Sequence, residues 1–140
     1  MQIIIVKTPE QREVAFRIRH KVFIVEQNVP PEEEMDEFDE TATHFVGYAD
    51  GNPAAASRLR LVDDYGKLER IAVLKEYRGN SYGKQIIQAM EDFIKQHKLP
   101  KAKLNAQTHA ENFYKKLGYE TISDTFMDAG IPHVTMIKHL

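Results

Sequence analysis

A buried strand, a loop, an amphipathic helix and a second strand follow one another along the chain, and this order restricts the fold more than any other sequence feature. Residues 68–74 are mostly apolar, as in a strand that is buried on both faces. Residues 82–97 repeat apolar side chains at helical spacing, and Leu99-Pro100 ends this helix. Residues 103–107 then return as a strand. Such a crossover joins two parallel strands, which we expect at the centre of a sheet.

The segments on either side of this unit add short strands and helices. The predicted elements are a strand at 2–7, a helix from Pro9 to about Gln27, a hairpin of strands at 44–48 and 54–61, a turn at 63–66, a helix at 110–117, and final strands at 119–123 and 133–138. A chain of 140 residues has the size of one domain. We therefore predict a single α/β domain over residues 1–140, with a mixed, mostly antiparallel sheet flanked by helices.

Composition excludes several classes of function. The chain has no cysteine, which excludes thiolate nucleophiles, cysteine-ligated zinc and redox pairs. Its net charge of -2 and pI of about 6.3 give no reason to expect nucleic acid as a partner. No apolar run approaches the roughly 20 residues of a membrane helix, and the N-terminus lacks a signal-peptide pattern. We expect a cytoplasmic protein without a membrane partner, and no metal site, because His44 and His109 lack partners at ligand spacing.

The loop after the central strand has the composition of an anion site. Residues 77–84 read YRGNSYGK, and the helix begins within them. At such a strand-to-helix junction, backbone N–H groups and the helix dipole converge on one point, which favours a phosphate group. Two glycines alone would favour an ordinary turn. The loop matches neither the Walker pattern nor the dinucleotide-binding pattern.

Together with the strand before it, this loop resembles the acetyl-CoA signature of the GCN5-related N-acetyltransferases, the GNAT family. The family's loop is Q/R-x-x-G-x-G/A, and here the pattern falls on Arg78, Ser81 and Gly83. Ser81 stands where the family usually has glycine, and serine fits there if its backbone need not adopt a positive φ. Residues 107–119 are similar to the family's N-x-x-A-x-x-F-Y-x-x-x-G-F segment, with Gln107 in place of the commoner asparagine.

This resemblance implies a GNAT fold, in which two parallel central strands splay apart in a V, and acetyl-CoA as co-substrate. By the same resemblance, the residues that contact CoA would be Ile71, Ala72, Val73, Arg78, Gly79, Asn80, Ser81, Tyr82, Gly83, Lys84, Gln107 and Asn112. Further matches at residues 19–27, Asp36, Asp39 and residues 130–133 resemble an ElaA-like or YjcF-like bacterial subfamily.

The N-terminal pattern and residues 68–70 are also similar to acyl-homoserine-lactone synthases. Those enzymes share the fold, but they are usually longer and carry a tryptophan after the first helix. This chain has no tryptophan. A lactone synthase and a CoA-binding module without turnover are therefore the alternatives to an N-acetyltransferase.

In the chemistry that the resemblance implies, an amine attacks the thioester directly and no acyl-enzyme forms. Tyr114 would lie near the sulfur as general acid, since a phenol with a pKa of about 10 can donate to a thiolate whose conjugate acid has a pKa of about 8.5. A backbone N–H of residues 71–73 would bind the developing negative charge. The base candidates are Glu69 and His133. Glu69 could equally pair with Arg58 or Arg70, and His133 could instead hold a loop through a hydrogen bond.

The acceptor side is the least defined part of the site. We assign it Phe23, Glu26 and Asp36, the last two also as further base candidates. Residues 32–40 contain seven acids in nine positions. Such a run is usually a solvated loop, and the alternative is that it attracts a cationic amine. The sequence thus predicts transfer of an acetyl group to a primary amine of a small molecule or peptide, and it leaves a homodimer open.

Overall fold

The computed structural model describes residues 1–140 and contains eight strands and four α-helices. The strands are β1 (Gln2–Ile5), β2 (Thr43–Ala49), β3 (Asn52–Val62), β4 (Tyr65–Val73), β5 (Lys101–Gln107), β6 (Glu120–Thr121), β7 (Phe126–Asp128) and β8 (Ile131–His139). The helices are α1 (Pro9–Arg19), α2 (Pro31–Glu34), α3 (Tyr82–Gln96) and α4 (Glu111–Lys116). A π-helix covers His20–Glu26, and 3₁₀ turns cover Glu37–Glu40, Lys75–Tyr77 and Thr108–Ala110.

All strands belong to one mixed sheet. Its order is β1-β2-β3-β4-β5-β8-β6, and β7 also pairs with β8. Only β4 and β5 are parallel to each other, and α3 connects them. Every other pair is antiparallel. The predicted fold class and the parallel central pair are confirmed.

The pairing of β4 with β5 covers only part of both strands. It runs from Tyr65 opposite Lys101 to Leu68 opposite Leu104. Beyond this point β4 continues to its end with β3 as its partner, and β5 continues with β8. The two strands therefore part, and the space between them opens as a V. This is the splay that the family resemblance implied.

A β-bulge lies where the two strands part. Two residues of β4, Arg70 and Ile71, stand opposite Ser57 alone in the register with β3. Arg70 has a φ of 54°, in the left-handed region. One extra residue moves the side chains that follow to the other face of the sheet. Leu68 accordingly packs in the core under α3, whereas Ala72 packs in the core under α1.

Apolar side chains cover both faces of the sheet. The helix α3 buries one stripe at the predicted spacing, formed by Ile86, Ile87, Met90 and Ile94. On the opposite face, α1 and the π-helix bury Ala15, Ile18 and Val22. Each large apolar side chain that is fully buried in this way stabilises the fold by about 1.5–3 kcal/mol.

The first helix is shorter than predicted. Thr8 starts it with a capping box, in which Thr8 and Gln11 exchange hydrogen bonds between side chain and backbone. The α-helix ends at Arg19, and a π-helix replaces the expected continuation to Gln27. The wider π turn rotates the following side chains away from α-helical spacing. Val25, which α-helical spacing would place on the same face as the buried Ile18 and Val22, is 65% exposed for this reason.

The acidic segment at residues 32–40 is not a solvated loop, so that expectation is wrong. It contains α2 and the 3₁₀ turn Glu37–Glu40, which Asp36 caps. Glu34 and Asp39 are only 3% and 2% exposed because both pair with Arg19.

Two smaller differences concern the strands. β4 already begins inside the expected turn at residues 63–66, and β7 was not predicted. None of the helices combines the length and the apolar composition needed to cross a membrane.

Candidate active site

β4 contributes to two cavities. The central cavity, of about 570 Å³, lies in the opening of the V and is lined by Phe23, Gln27, Val29, Glu33, Glu34, Asp36, residues 67–71, residues 104–107, His109, Ala110, Tyr114, residues 128–129, Ile131 and His133. The loop cavity, of about 320 Å³, is lined by Val73, Tyr77, Arg78, Gly79, Ser81, Tyr82, Gly83, Lys84 and Phe113. Ile71 faces one cavity and Val73 the other. An elongated molecule that filled both would therefore run along β4.

Unpaired backbone donors face the loop cavity at the start of α3. The first backbone hydrogen bond of this helix runs from the N–H of Gln85 to the oxygen of Ser81, and the N-cap residue makes no side-chain bond. The N–H groups of Tyr82, Gly83 and Lys84 thus have no acceptor within the protein. Such a terminus binds anions, because its free donors and the helix dipole act at the same point.

The loop before this helix contains two left-handed residues. Gly79 has a φ of 85° and Ser81 a φ of 62°. Ser81 therefore adopts a positive φ, so the condition under which serine was expected to fit this position is not met. A side chain in this region costs on the order of 1 kcal/mol relative to glycine. Gly83 has an ordinary φ, and a Cβ added there would meet Phe113 and Val73 only at normal contact distances.

Arg78 connects this loop to the π-helix. Its two terminal nitrogens bind the carboxylate oxygens of Glu26 at 2.6 and 2.8 Å, and its Nε donates to the backbone oxygen of Val73 at 3.0 Å. The hydrogen bond and charge of Arg78 lower the pKa of Glu26. Glu26 lines neither cavity, so its assignment to the acceptor side gains no support from the structure. Phe23 and Asp36 do line the central cavity.

Most of the residues implied to contact CoA line one of the two cavities, but three do not. Ala72 is buried in the core under α1. The side chain of Asn80 donates to the backbone oxygen of Tyr77 at 3.0 Å, and Asn112 is exposed on α4. Their part in contacting a ligand stays a prediction.

Tyr114 lies in the wall of the central cavity. Its ring packs edge-on against Phe113 and Tyr119, with centroids at 5.2 and 5.9 Å. Burial raises the pKa of Tyr114 to about 12, and its hydroxyl has no hydrogen-bond partner in the protein. The phenol therefore stays protonated at neutral pH, with its proton available to a molecule in the cavity.

His133 also lines the central cavity and is 8% exposed. Its Nδ1 lies 2.7 Å from the backbone oxygen of Ile131. A carbonyl oxygen can only accept, so Nδ1 carries the hydrogen. In the neutral ring, Nε2 is then a free proton acceptor. The ring stacks on Phe126, which fixes its plane. The loop-holding interpretation and the base interpretation of His133 are thus compatible.

Glu69 has a different environment. Its carboxylate binds Arg58 and Arg60 at 2.8 Å each and Lys67 at 3.2 Å. Burial alone would raise the pKa of Glu69, but the hydrogen bonds and charges of these three cations lower it to about 2. A carboxylate with so low a pKa is a weak base. The pairing with Arg58 is therefore the interpretation of Glu69 that the geometry supports, and Arg70 is not among its partners.

Glu69 is part of an ion-pair cluster that the sequence analysis missed. The cluster comprises Arg19, Glu34, Asp36, Asp39, Arg58, Arg60, Lys67, Glu69 and Arg70. Burial opposes ionisation of Asp39, but hydrogen bonds from Arg19 and Arg58 lower its pKa to about 2. Two signals could have revealed the cluster. Arg19 follows Ile18 on the buried face of α1, and Arg58 interrupts an otherwise small and apolar stretch of β3.

A chain of hydrogen bonds between side chains lies at the edge of the central cavity. Gln107 donates to the side-chain oxygen of Gln27 at 2.9 Å, and its own oxygen accepts from Nε2 of His109 at 2.7 Å. The end of β5 is thereby tied to the end of the π-helix. No group of three or more His, Asp or Glu side chains is arranged to hold a metal ion.

Comparison with known proteins assigns this arrangement to a family. Residues 5–140 match the family model of the acetyltransferase (GNAT) domain. The chain is 47% identical over 139 residues to the uncharacterized N-acetyltransferase YjcF of Bacillus subtilis (strain 168), with 99% of both chains covered. It is 28% identical over 129 residues to the protein ElaA of Escherichia coli (strain K12), covering 89% of this chain and 84% of ElaA.

Solved structures agree with this at the level of the fold. The crystal structure of Escherichia coli ElaA superposes with a TM-score of 0.88 at 23% identity, over 99% of both chains. The PaiA N-acetyltransferase of Thermoplasma acidophilum, crystallised with coenzyme A, superposes with a TM-score of 0.72 at 17% identity, over 100% of both chains. The protein is thus an acyltransferase that belongs to the GNAT family, and its relatives within that family include YjcF and ElaA.

Proposed function

We propose that this protein transfers an acetyl group from acetyl-CoA to a primary amine of a small molecule or peptide, by direct attack of the amine. One observation carries the proposal. The parting of β4 and β5 opens a cavity that contains a free histidine base and a protonated tyrosine, next to a second cavity with unpaired N–H donors. These are the groups that acyl transfer between a phosphate-bearing thioester and an amine requires.

The loop cavity suits the phosphate end of the donor. The free N–H groups of Tyr82, Gly83 and Lys84 would bind oxygen atoms of a pyrophosphate. Nothing in the protein lies within 4 Å of a Cβ added at Gly79, so the backbone there is open to a close approach. A fold neighbour crystallised with coenzyme A, PaiA of Thermoplasma acidophilum, supports the assignment. When bound, acetyl-CoA would supply an activated acetyl group and a thiolate leaving group.

His133 is the group we propose as base. An alkyl ammonium with a pKa of about 10 must lose a proton before its nitrogen can attack. In the neutral ring of His133, Nδ1 carries the hydrogen that is donated to the backbone oxygen of Ile131, so Nε2 is the nitrogen that can accept a proton. Glu69 is excluded from this role in the proposal because three cations already bind its carboxylate.

The edge of β4 supports stabilisation of the developing negative charge. Beyond Leu68, β4 has no partner on its β5 side, so alternate backbone N–H groups up to Val73 face the opening of the V. A donor of this kind, fixed in place before the reaction, binds an oxygen that gains charge in the transition state.

Tyr114 would act on the leaving sulfur. Proton transfer from a phenol with a pKa of about 12 to a thiolate whose thiol has a pKa of about 8.5 is uphill by roughly 5 kcal/mol. We therefore assign to Tyr114 a hydrogen bond that stabilises the departing thiolate, while the proton stays on the phenol and the CoA thiolate takes up a proton from water after its release. This modifies the general-acid role that the resemblance implied.

Two measurements test the proposal. Calorimetric titration with CoA should show binding at one site per chain, and a thiol-release assay should show turnover of acetyl-CoA that depends on an added primary amine. A parallel reaction with an acyl donor and S-adenosylmethionine tests lactone synthesis. Absence of CoA binding, or lactone formation without amine acetylation, would overturn the proposal.

A further inference from the structure

The ion-pair cluster beside the central cavity is not electrically balanced. It combines five cationic side chains with four carboxylates, so one positive charge is in excess. Charges taken out of water are stable only when they are compensated. The cluster therefore has the composition of a site that binds one further anionic group.

Two cations of the cluster line the cavity, Lys67 and Arg70, and both have hydrogen-bond donors that no protein group fills. The ammonium of Lys67 has Glu69 as its one ion-pair partner, at 3.2 Å, which leaves donors free. Arg70 donates through Nε and Nη2 to the backbone oxygens of Glu34 and Glu33 and to Asp36. Its Nη1 has no acceptor in the protein. Both side chains are about one quarter exposed.

The electrostatic environment of Arg70 agrees with this imbalance. Burial lowers the pKa of Arg70, and repulsion by Arg58 and Arg19 lowers it further. Attraction by Asp36 and Glu34 does not compensate these effects. An anion bound beside Arg70 would supply the missing compensation.

The cavity also has acidic residues outside the cluster. Glu33 and Asp128 line it without an ion-pair partner, and both are exposed. Neither carboxylate forms an ion pair with the cations of the cluster, so both are available to attract an ammonium group in the cavity. The cavity thus offers separate positions for a positive and a negative group.

We infer that the acceptor carries a carboxylate in addition to its amine, and that Lys67 and Arg70 bind this carboxylate while the amine faces His133. The acceptor class is then that of amino acids. The inference rests on the proposed function, and it adds which charged groups the acceptor must carry to fit the side chains of the cavity. It adds a negative group to the cationic amine that the acidic segment was expected to attract.

The experiment compares acceptors that differ only at the carboxylate. Thiol release is measured with γ-aminobutyrate, γ-aminobutyramide and propylamine, and with phenylalanine, phenylalaninamide and phenethylamine. In at least one series we expect kcat/KM for the acid to exceed that for the amide by about 10-fold or more, the usual effect of a charged hydrogen bond. Because a carboxylate also changes the pKa of a nearby amine, the acid-to-amide ratio is compared between variants.

Two variants isolate the contribution of Lys67. Lys67→Gln should lower the acid-to-amide ratio several-fold, because Arg70 then remains as the one cation beside the carboxylate, while the KM for acetyl-CoA is unchanged. Lys103→Gln is the matched control, because Lys103 stands opposite Lys67 on β5, has its ammonium over the ring of Tyr65 and does not line the central cavity. It should keep the wild-type ratio.

A binding measurement separates this inference from the proposed function. The enzyme–CoA complex is titrated with N-acetyl-γ-aminobutyrate and with its amide. Tighter binding of the acid than of the amide, with a smaller difference in Lys67→Gln, supports the carboxylate site even without turnover. If acids bind selectively but no amine is acetylated, the proposed function fails alone. Equal affinity and equal turnover for acid and amide, or an acid preference as large in Lys67→Gln as in the wild type, would overturn the inference.

Discussion

Arg78 and Glu26 lie 52 positions apart in the chain, and their side chains form a two-pronged ion pair with distances of 2.6 and 2.8 Å. One partner belongs to the loop that faces the proposed phosphate site, and the other ends the π-helix. The next residue, Gln27, bonds to the end of β5. The pair therefore connects the donor side of the site with the wall of the central cavity.

Glu26→Gln should tighten CoA binding. The substitution releases the guanidinium of Arg78 beside the phosphate site, and we expect the Kd to fall by a few-fold, since about 1 kcal/mol corresponds to a factor of about five. Thermal stability should change little, because the pair is partly exposed. Calorimetry checks the affinity. Glu76→Gln is the control, since Glu76 acts on Arg78 by charge alone. Weaker CoA binding in Glu26→Gln would mean that the ion pair holds the loop in its binding form.

Ser81→Gly should stabilise the protein by about 0.5–1 kcal/mol, because glycine adopts the left-handed region without strain and the serine side chain makes no capping bond that could be lost. Urea denaturation measures the difference. Ser81→Ala keeps the Cβ and should bring no gain. Equal stabilisation by glycine and alanine would show that φ strain at Ser81 is not the cause.

Tyr114→Phe should lower kcat by about 10–100-fold and leave the Kd for CoA unchanged, because the substitution removes a donor that no protein group uses. Steady-state kinetics and calorimetry measure the two quantities. Tyr119→Phe serves as the contrasting variant. It removes a hydrogen bond of 2.8 Å to the buried Glu91 and should cost about 1–3 kcal/mol of stability while kcat stays near the wild-type value. Unchanged kcat in Tyr114→Phe would remove this residue from the reaction.

His133→Gln should lower kcat/KM for the amine by about 100-fold or more, the usual contribution of a general base. Glutamine is close to histidine in size but cannot take up a proton at neutral pH. The KM for acetyl-CoA should not change. The assay is repeated at a pH high enough to deprotonate the amine in solution, where the wild type and the variant should approach each other. A constant difference across pH would argue for a purely structural role.

Acid should destabilise the protein between about pH 4.5 and pH 2. The folded-state pKa values of Asp39 and Glu69 are about 2, below their ordinary values of 3.8 and 4.5. As the pH falls through this window the unfolded chain takes up these protons first, so stability present above it is lost, on the order of 2 kcal/mol per carboxylate. Urea titrations at several pH values measure the slope. Glu69→Gln should lower the stability at neutral pH and flatten the slope, whereas Glu13→Gln, which changes an exposed acid without an ion-pair partner, should leave the slope as it is. An unchanged slope in Glu69→Gln would contradict this account.

The central unit was predictable because its signals are local. The buried strand, the anion loop and the amphipathic stripe of α3 each lie within one stretch of sequence, and their order determines the parallel pair. Ile86, Met90 and Ile94 lie where helical periodicity places them. Tyr114 and His133 were found by resemblance to a family motif, and the structure places both in one cavity.

The parts that could not be predicted depend on contacts between distant residues. Arg19 pairs with carboxylates 15 and 20 positions away, and Arg58 with one 22 positions away. Local patterns can place Arg19 and Arg58 on buried faces, but none indicates that the acid-rich run folds onto them. The bulge at Arg70 could not be predicted from the sequence either, because arginine rarely has a positive φ. The bulge is visible only in the register of β4 with β3.

The proposed function is tested most directly by mass spectrometry of a single reaction that contains the protein, acetyl-CoA and a panel of amino acids and amines. The account predicts an acetylated amine in amounts equal to the CoA released, and loss of both in His133→Gln. CoA binding by calorimetry without any acetylated amine, or CoA release that continues when every amine is left out, would contradict it.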